Sequence, residues 1–176
     1  MARPRRIPDE HVFATIRNLL AQHGPRHVTF ATVAARTGLA GPSLVQRYLN
    51  RDAMVLAALV DGWDQLDRAT LRATHATPDG AKGAVALLKA IAPSDPALPP
   101  SDLRFLISTM TDQPVRDRAA RWRQSLIAAL QTKLGDHGPT RANMLFALWQ
   151  GRLLWPDADA PAPFRLRDAA RLLLAL

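Results

Sequence analysis

Apolar side chains recur along this chain at three- and four-residue intervals, in segments that glycine and proline separate. In the first segment Val12, Ile16 and Leu19 fall on one helical face, and Gly24-Pro25 ends the segment. No alternating pattern of strand length occurs, so the sequence predicts an all-α chain. About nine helices are predicted, at residues 8–23, 30–37, 42–48, 51–74, 79–92, 101–111, 114–134, 140–155 and 164–176.

Two short predicted helices follow one another closely between residues 28 and 51. Thr29 is a suitable N-cap for the first helix, and Gly38 ends it. After a short turn, Gly41 is predicted to cap the second helix, with Pro42 in its first turn. This order of helix, glycine turn and helix is that of the helix-turn-helix motif, whose second helix enters the major groove of DNA.

The second helix of this motif carries side chains that are suited to reading bases. Leu44 and Tyr48 are four residues apart and are predicted to face inward, which leaves Ser43, Gln46 and Arg47 facing outward. Glutamine can bond bidentately to adenine and arginine to guanine, and serine can contact a base or a phosphate. We therefore expect this outer face to contact DNA.

Residues around the motif are predicted to contact the DNA backbone. Thr29 and Thr32 lie at the start of one helix, although capping alone also explains them. Asn50 caps the next helix, whose first N–H groups can bind a phosphate. Three arginines before the first helix form a basic arm for the minor groove or for phosphates, or else a frayed tail without a defined contact. The predicted DNA-binding residues are Arg3, Arg5, Arg6, Thr29, Thr32, Gly41, Pro42, Ser43, Gln46, Arg47, Tyr48, Asn50 and Arg51.

Residues 12–60 resemble the N-terminal domain of TetR-type transcriptional regulators. The resemblance rests on the turn Thr37-Gly38-Leu39, on Pro42-Ser43-Leu44 opening the second helix of the motif, and on Tyr48 and Asn50-Arg51 after it. It implies a helix-turn-helix DNA-binding domain at residues 1–52 and a helical effector-binding and dimerisation domain at residues 53–176. It also implies a homodimer that binds a palindromic operator in double-stranded DNA, that a small effector releases, and that most often represses.

Within this resemblance three positions have a particular meaning. Arg51 matches a lysine that touches a phosphate in the family. Val45 stands where the family usually has a phosphate-binding tyrosine, so this chain lacks that hydrogen bond. Ala40 stands where a capping serine is common, so either Gly41 takes over the cap or the start of the second helix is looser by about 1 kcal/mol.

Most large apolar side chains lie beyond residue 80, where they first of all predict a core. Residues 144–149 are all apolar, so their helix is expected to be covered on every side, partly by a partner subunit. A largely apolar effector is predicted to bind among Leu87, Leu88, Ile91, Phe105, Met110, Trp122, Met144 and Trp149. The predicted dimer interface is Leu126, Ala129, Leu130, Ala147, Leu148 and Gly151.

The charge of the chain agrees with a nucleic-acid partner. Its 176 residues carry a formal net charge of +8, and residues 1–52 contain eight arginines against three acidic residues. Such an excess favours phosphate partners or an anionic membrane surface. The alternative function is therefore a basic helical interaction protein that binds RNA or an anionic membrane. That alternative explains the charge but not the ordered glycine turn.

The remaining sequence features argue against disulfides, metal binding and catalysis. The absence of cysteine excludes disulfides, thiolate metal sites and cysteine catalysis. His23 and His27 have a metal-ligand spacing but straddle Gly24-Pro25, so no metal is expected. No phosphate loop or Ser/His/Asp arrangement occurs, so we expect neither a cofactor nor an enzyme. No apolar run approaches the roughly 18 residues of a membrane span and no signal peptide begins the chain, so the expected location is the cytoplasm, on the nucleoid when DNA is bound.

Overall fold

The computed structural model describes residues 7–92, 102–135, 138–154 and 165–175. These ranges contain nine α-helices and no strand, which confirms the all-α prediction. The helices are α1 Asp9–His23, α2 Phe30–Thr37, α3 Gly41–Tyr48, α4 Arg51–Ala76, α5 Ala81–Ile91, α6 Asp102–Ser108, α7 Gln113–Leu134, α8 Gly138–Leu154 and α9 Leu166–Ala175.

Local chemistry at the helix ends explains most of these boundaries. The Thr29 side chain accepts a 3.1 Å hydrogen bond from the Thr32 N–H and caps α2. Gly38 ends α2 in the left-handed conformation, with φ 75°, which glycine adopts without a steric penalty. Asn50 Oδ1 accepts a 2.8 Å bond from the Ala53 N–H and caps α4 as predicted.

Helix α3 begins one residue earlier than predicted. Ala40 is its N-cap residue, and the Ala40 carbonyl accepts the N–H groups of Ser43 and Leu44. Gly41 is already helical, so its prediction as the cap is wrong. No side chain caps α3, because alanine has no acceptor to offer.

The chain comprises two compact units, and the first one contains the helix-turn-helix. It consists of the described residues up to Gln65 together with Ser108–Arg118. The functional boundary predicted at residue 52 lies earlier in α4 than this structural division, and it stays a prediction. The core of α1–α4 in this unit is formed by Val12, Ile16, Leu19, Val28, Val33, Leu44, Tyr48, Met54 and Ala58.

The second unit consists of the described residues of Leu66–Ile107 and Ala119–Leu176. Helix α9 packs against α5 and α8. Trp122 Nε1 donates a 3.0 Å hydrogen bond to Thr70 Oγ1, and Lys133 Nζ donates a 2.6 Å bond to the Thr77 carbonyl near the end of α4. Leu71 on α4 is 61% exposed.

Candidate nucleic-acid interface

Helices α2 and α3 are held together by apolar contacts across their turn. Val33 on α2 and Leu44 on α3 are completely buried. Ala34 and Leu39 are partly buried against the same core. The inward face of the motif is therefore the one that the spacing predicts, and a single face of α3 remains for a partner.

The opposite face of α3 presents the polar side chains that were predicted to face outward. Gln46 and Arg47 are exposed, Ser43 is half-buried and Pro42 is exposed. Val45 lies beside them and is 44% exposed. An amide, a guanidinium and an aliphatic group on one exposed helical face match three ways of reading base edges in a major groove.

Arg47 is linked to the beginning of α1. Its Nη1 donates 3.1 Å hydrogen bonds to the Asp9 carboxylate and to the Ile7 carbonyl oxygen. Arg47 is exposed as a whole residue, but this contact leaves only 28% of its side chain exposed, against 58% for the Asp9 side chain. This ion pair was not predicted from the sequence.

Tyr48 shares the same carboxylate from the buried side. Its hydroxyl donates a 2.7 Å bond to Asp9 Oδ1, and its ring lies 5.7 Å from that of Phe13. Burial first, and then the hydrogen bond to Asp9, raises the pKa of Tyr48 above its usual value of 10.0. Tyr48 is 9% exposed, so its assignment as a DNA contact is corrected: it is a core residue that anchors α3 to α1.

Arg51 holds the chain between α1 and α2. Its Nε donates a 2.7 Å bond to the Val28 carbonyl, its Nη1 a 2.8 Å bond to Asp52, and its Nη2 a bond to the Pro25 carbonyl. The guanidinium therefore already has a structural role. A phosphate contact by Arg51 would use the part of this half-buried group that still faces solvent.

The remaining predicted DNA contacts divide into two groups. Thr29 and Thr32 bond to one another, with 2.9 Å between their hydroxyl oxygens, and Asn50 is exposed while it caps α4. Capping thus occupies all three side chains, and each still lies at a helix N-terminus. The arm residues Arg3, Arg5 and Arg6 lie outside the described residues.

Acidic side chains on α4 are paired with arginines rather than arranged around an ion. Arg17 Nη1 donates a 2.8 Å bond to Asp61 and a 2.9 Å bond to the Ala58 carbonyl. Arg118 Nε donates to Asp64. In the described part of the chain no group of three acidic or histidine side chains could hold a metal ion, and the His27 Nδ1–H bonds to the His23 carbonyl.

The predicted effector-binding residues are mostly interior. Leu87, Leu88, Ile91, Trp122 and Trp149 are at most 7% exposed. Phe105 and Met110 are half-buried, and Met110 belongs to the first unit rather than the second. Met144 is 46% exposed, and its place in the effector pocket stays a prediction.

The predicted dimer interface separates into a buried and an exposed part. Leu126 and Leu130 are completely buried within the chain, so their assignment to a contact surface is corrected. Ala129 is half-buried. Ala147, Leu148 and Gly151 are exposed on α8, next to Met144. Within the single chain this helix is therefore open on one side, and its cover by a partner subunit stays a prediction.

A groove of about 410 Å³ lies along α7 and includes Asn143, one turn before Ala147 on α8. Its walls come from α7 and from the start of α8, and they combine apolar with polar groups. Arg123 also lies over the ring of Phe146, 5.5 Å from its centre. None of the predicted effector-binding residues lines the groove, whose residues are Ala120, Arg123, Gln124, Ile127, Ala128, Gln131 and Asn143.

Solved structures of transcriptional regulators share this arrangement of helices. SCO7518 of Streptomyces coelicolor A3(2), a proposed transcriptional regulator, is 20% identical over 96% of this chain and 98% of its own, with a TM-score of 0.69. The TetR family transcriptional regulator PfmR of Thermus thermophilus is 13% identical over 94% and 95%, with a TM-score of 0.58. AmtR of Mycobacterium smegmatis is 22% identical over 99% and 89%, with a TM-score of 0.57.

The chain has the TetR fold. No family model and no curated protein matches its sequence, so the structural likeness carries this assignment. The likeness to PfmR covers 94% of this chain, so it extends well beyond residues 12–60, to which the sequence resemblance was assigned. Among the described residues, no helix of this TetR fold is long and apolar enough to cross a membrane.

Proposed function

We propose that this chain is a DNA-binding transcriptional regulator that reads a palindromic operator as a homodimer. The observation that carries the proposal is the exposed face of α3, where Gln46 and Arg47 project from a helix whose other face is fixed by Leu44 and Tyr48. A braced helix with an amide and a guanidinium on its free face suits direct readout in the major groove. The solved structures of similar fold are described as transcriptional regulators, which supports this proposal.

The net charge of +8 supports duplex DNA as the partner but does not by itself distinguish DNA from RNA or an anionic membrane. A basic interaction protein would be insensitive to base sequence. Because the helix-turn-helix geometry favours base reading, we place regulation of transcription first and the interaction protein second. An enzymatic role has no supporting residues among those described.

The first experiment is footprinting of the duplex DNA that flanks the chain's own gene, across a salt series. We expect a protected palindrome and an affinity that falls steeply with salt, since phosphate contacts release counterions. Gln46→Ala and Arg47→Ala should reduce operator affinity relative to random duplex by roughly 5- to 100-fold each, as expected for the loss of one bidentate base contact. Arg36→Ala removes an exposed charge from α2 and should leave the ratio of operator to random affinity unchanged.

Two results would contradict this proposal. Equal affinity for the flanking DNA and for random duplex would favour the sequence-insensitive interaction protein. Wild-type discrimination in both Gln46→Ala and Arg47→Ala would mean that α3 does not read the bases. Binding to single-stranded RNA and to anionic vesicles, measured at the same salt concentrations, then distinguishes RNA from an anionic membrane as the partner.

We further propose that two copies pair through the outer faces of α7 and α8. Met144 and Leu148 are large apolar side chains that are 46% and 38% exposed, and Ala147 and Gly151 beside them are small enough for close helix approach. An adjacent groove of about 410 Å³ offers space for side chains of a second copy. The pairing would be isologous, as in most homodimers.

Sedimentation tests the pairing directly. Leu148→Arg should convert a dimer to a monomer, because an unpaired guanidinium would be buried at the contact. Ala90→Arg introduces the same charge at an exposed site on α5 and should leave the dimer intact. A dimer that persists in Leu148→Arg, or a wild-type monomer, would rule out this interface.

We also propose that a small, largely apolar effector binds in the second unit and releases the DNA. Leu87, Leu88, Ile91, Trp122 and Trp149 provide an apolar interior there, with Phe105 half-buried. An effector changes DNA affinity only by its difference in affinity between the two states of the protein. Helix α4 begins in the first unit and ends in the second, so it is the element proposed to transmit the change. A panel of apolar ligands, scored by loss of the footprint, tests this step.

A further inference from the structure

A single carboxylate at the start of α1 determines how Arg47 is held. Asp9 Oδ1 accepts one bond from Arg47 Nη1 at 3.1 Å and one from the Tyr48 hydroxyl at 2.7 Å. The Ile7 carbonyl accepts a second bond from the same Nη1. Two residues that are neighbours on α3 thus meet one acidic group that lies 38 and 39 residues away in the sequence.

The contact leaves part of the guanidinium available. Only Nη1 is bonded, and the donors on Nε and Nη2 have no partner among the described residues. A guanidinium is planar, so fixing Nη1 at two acceptors also fixes the direction in which its other N–H groups point. The N–H donors that could bond to the two acceptors on a guanine edge therefore have a restricted orientation before DNA binds.

The negative charge of Asp9 opposes the electrostatic attraction of the protein to DNA. Its side chain is 58% exposed, in the first turn of α1, and residues 1–52 contain eight arginines against three acidic residues. A carboxylate there repels phosphates and lowers the affinity for any duplex. An acidic group at this place is explained if it orients Arg47. An arginine side chain that is ordered before DNA binds loses less conformational entropy on binding.

We propose that Asp9 is a positioning residue for sequence recognition. Its charge lowers the affinity for any duplex DNA, and its contact with Arg47 raises the preference of Arg47 for guanine. This inference rests on the proposed function as a DNA-binding regulator. Tyr48 serves the same arrangement from the core side, because its hydroxyl holds the carboxylate in place. Asp9 itself contacts no base.

The experiment selects binding sites from a randomised duplex library, using the full chain in parallel with Asp9→Asn, Glu10→Gln and Arg47→Ala. The selected sites are then measured against random duplex at one salt concentration. Glu10 lies in the same turn of α1, is exposed, and its side chain bonds to no described residue, so Glu10→Gln removes an equal charge without touching Arg47. Both charge-removing variants should bind random duplex more tightly than the wild type.

Of the two variants that remove an acidic charge, only Asp9→Asn is expected to lose discrimination between bases. Arg47→Ala should abolish the preference for guanine. Asp9→Asn should weaken that preference by about 3- to 10-fold, which is part of the discrimination that one bidentate contact provides. Glu10→Gln should leave it unchanged. Tyr48→Phe keeps every charge and removes one restraint on the carboxylate, so it should show a smaller loss in the same direction. Circular dichroism checks that each variant is folded, and if Asp9→Asn is not, Tyr48→Phe decides the question.

Three outcomes overturn the inference in distinguishable ways. If the wild type enriches no site, the proposed function fails and the inference fails with it. If the wild type enriches a site and Asp9→Asn keeps the same guanine preference, the function stands and Asp9 has no positioning role. If Glu10→Gln loses as much discrimination as Asp9→Asn, the effect is one of net charge alone.

Discussion

The Tyr48 hydroxyl donates a 2.7 Å hydrogen bond to Asp9 Oδ1, which joins the last turn of α3 to the first turn of α1. The donor is buried in the core of the first unit, whereas the acceptor is more than half exposed. The outer acceptor also holds Arg47, so the orientation of a surface side chain depends on a core residue. The geometry of the exposed face of α3 therefore depends on the packing between α3 and α1.

Tyr48 is the single tyrosine of the chain, so its ionisation can be followed by ultraviolet absorbance. Burial and the bond to Asp9 raise its pKa in the folded state, so the folded midpoint should lie above pH 10 and the unfolded midpoint near pH 10. The unfolded chain then loses this proton before the folded chain does. Stability contributed by Tyr48 is complete below pH 10 and declines as the pH rises above 10.

Tyr48→Phe provides the control for this titration. The variant has no ionisable phenol, so its free energy of unfolding should fall less steeply above pH 10 than that of the wild type. Asp9→Asn should lower the folded midpoint only in part, because burial is the larger cause of the shift and remains. A folded midpoint at or below pH 10 would contradict the buried, hydrogen-bonded placement of the phenol.

Leu49, between α3 and α4, occupies a strained backbone conformation. Its φ is 64° and its ψ −55°, and the Asn50 N–H donates a 2.7 Å bond to the Tyr48 carbonyl, which makes a tight γ-turn. The side chain is 80% exposed, so little packing is lost on its removal. Leu49→Gly should stabilise the protein by about 0.5–1 kcal/mol, because glycine adopts positive φ freely but loses more entropy on folding. Chemical denaturation measures this change.

Leu49→Ala is the matched variant for the turn. It removes the same apolar side chain but keeps the Cβ atom that causes the strain. We expect no gain in stability from Leu49→Ala. Equal stability of the glycine and alanine variants would show that the conformation at residue 49 stores no steric strain.

Gly83 in α5 is required by a close approach of the backbone. A Cβ atom on Gly83 would lie 1.5 Å from the Pro78 carbonyl oxygen, a distance that no side-chain rearrangement relieves. Gly83→Ala should therefore destabilise the protein by about 2–3 kcal/mol or more, as expected for a steric conflict in packed structure. Gly151 in α8 has open space around its Cβ position, so Gly151→Ala should change stability by no more than about 1 kcal/mol in the stabilising direction. Thermal unfolding of both variants distinguishes the two sites.

The sequence predicts features that depend on neighbouring residues and not those that depend on distant ones. Thr29, Gly38 and Asn50 act within three or four residues of their own position, and all three helix ends are where the pattern placed them. The bond between Asp9 and Arg47 spans 38 residues, and no spacing rule connects the two. The only sequence signal for it was an acidic residue in a segment whose other charges are mostly arginines.

Apolar periodicity also cannot tell an interior face from an interface. Leu126 and Leu148 are both apolar residues on amphipathic helices, and both were predicted at the dimer contact. The structure buries Leu126 within the chain and leaves Leu148 38% exposed. The distinction depends on which helices pack against α7 and α8, and that packing is set by contacts far apart in the sequence.

Arg17 is a buried charge whose partners lie on another helix. Its side chain is 8% exposed, and its Nη1 bonds to Asp61 and to the Ala58 carbonyl. Arg17→Met should destabilise the protein by about 3 kcal/mol, because it removes the cation that offsets the charge of the Asp61 carboxylate, which is 13% exposed. In an Asp61→Asn background the same change should be less damaging, since the carboxylate charge is then absent. Arg72→Met removes an exposed arginine from α4 and should alter stability by less than about 0.5 kcal/mol. Urea denaturation of the wild type, Arg17→Met, Asp61→Asn and the double variant measures the coupling between Arg17 and Asp61. Additive losses of stability would mean that the ion pair does not stabilise the contact of α1 with α4.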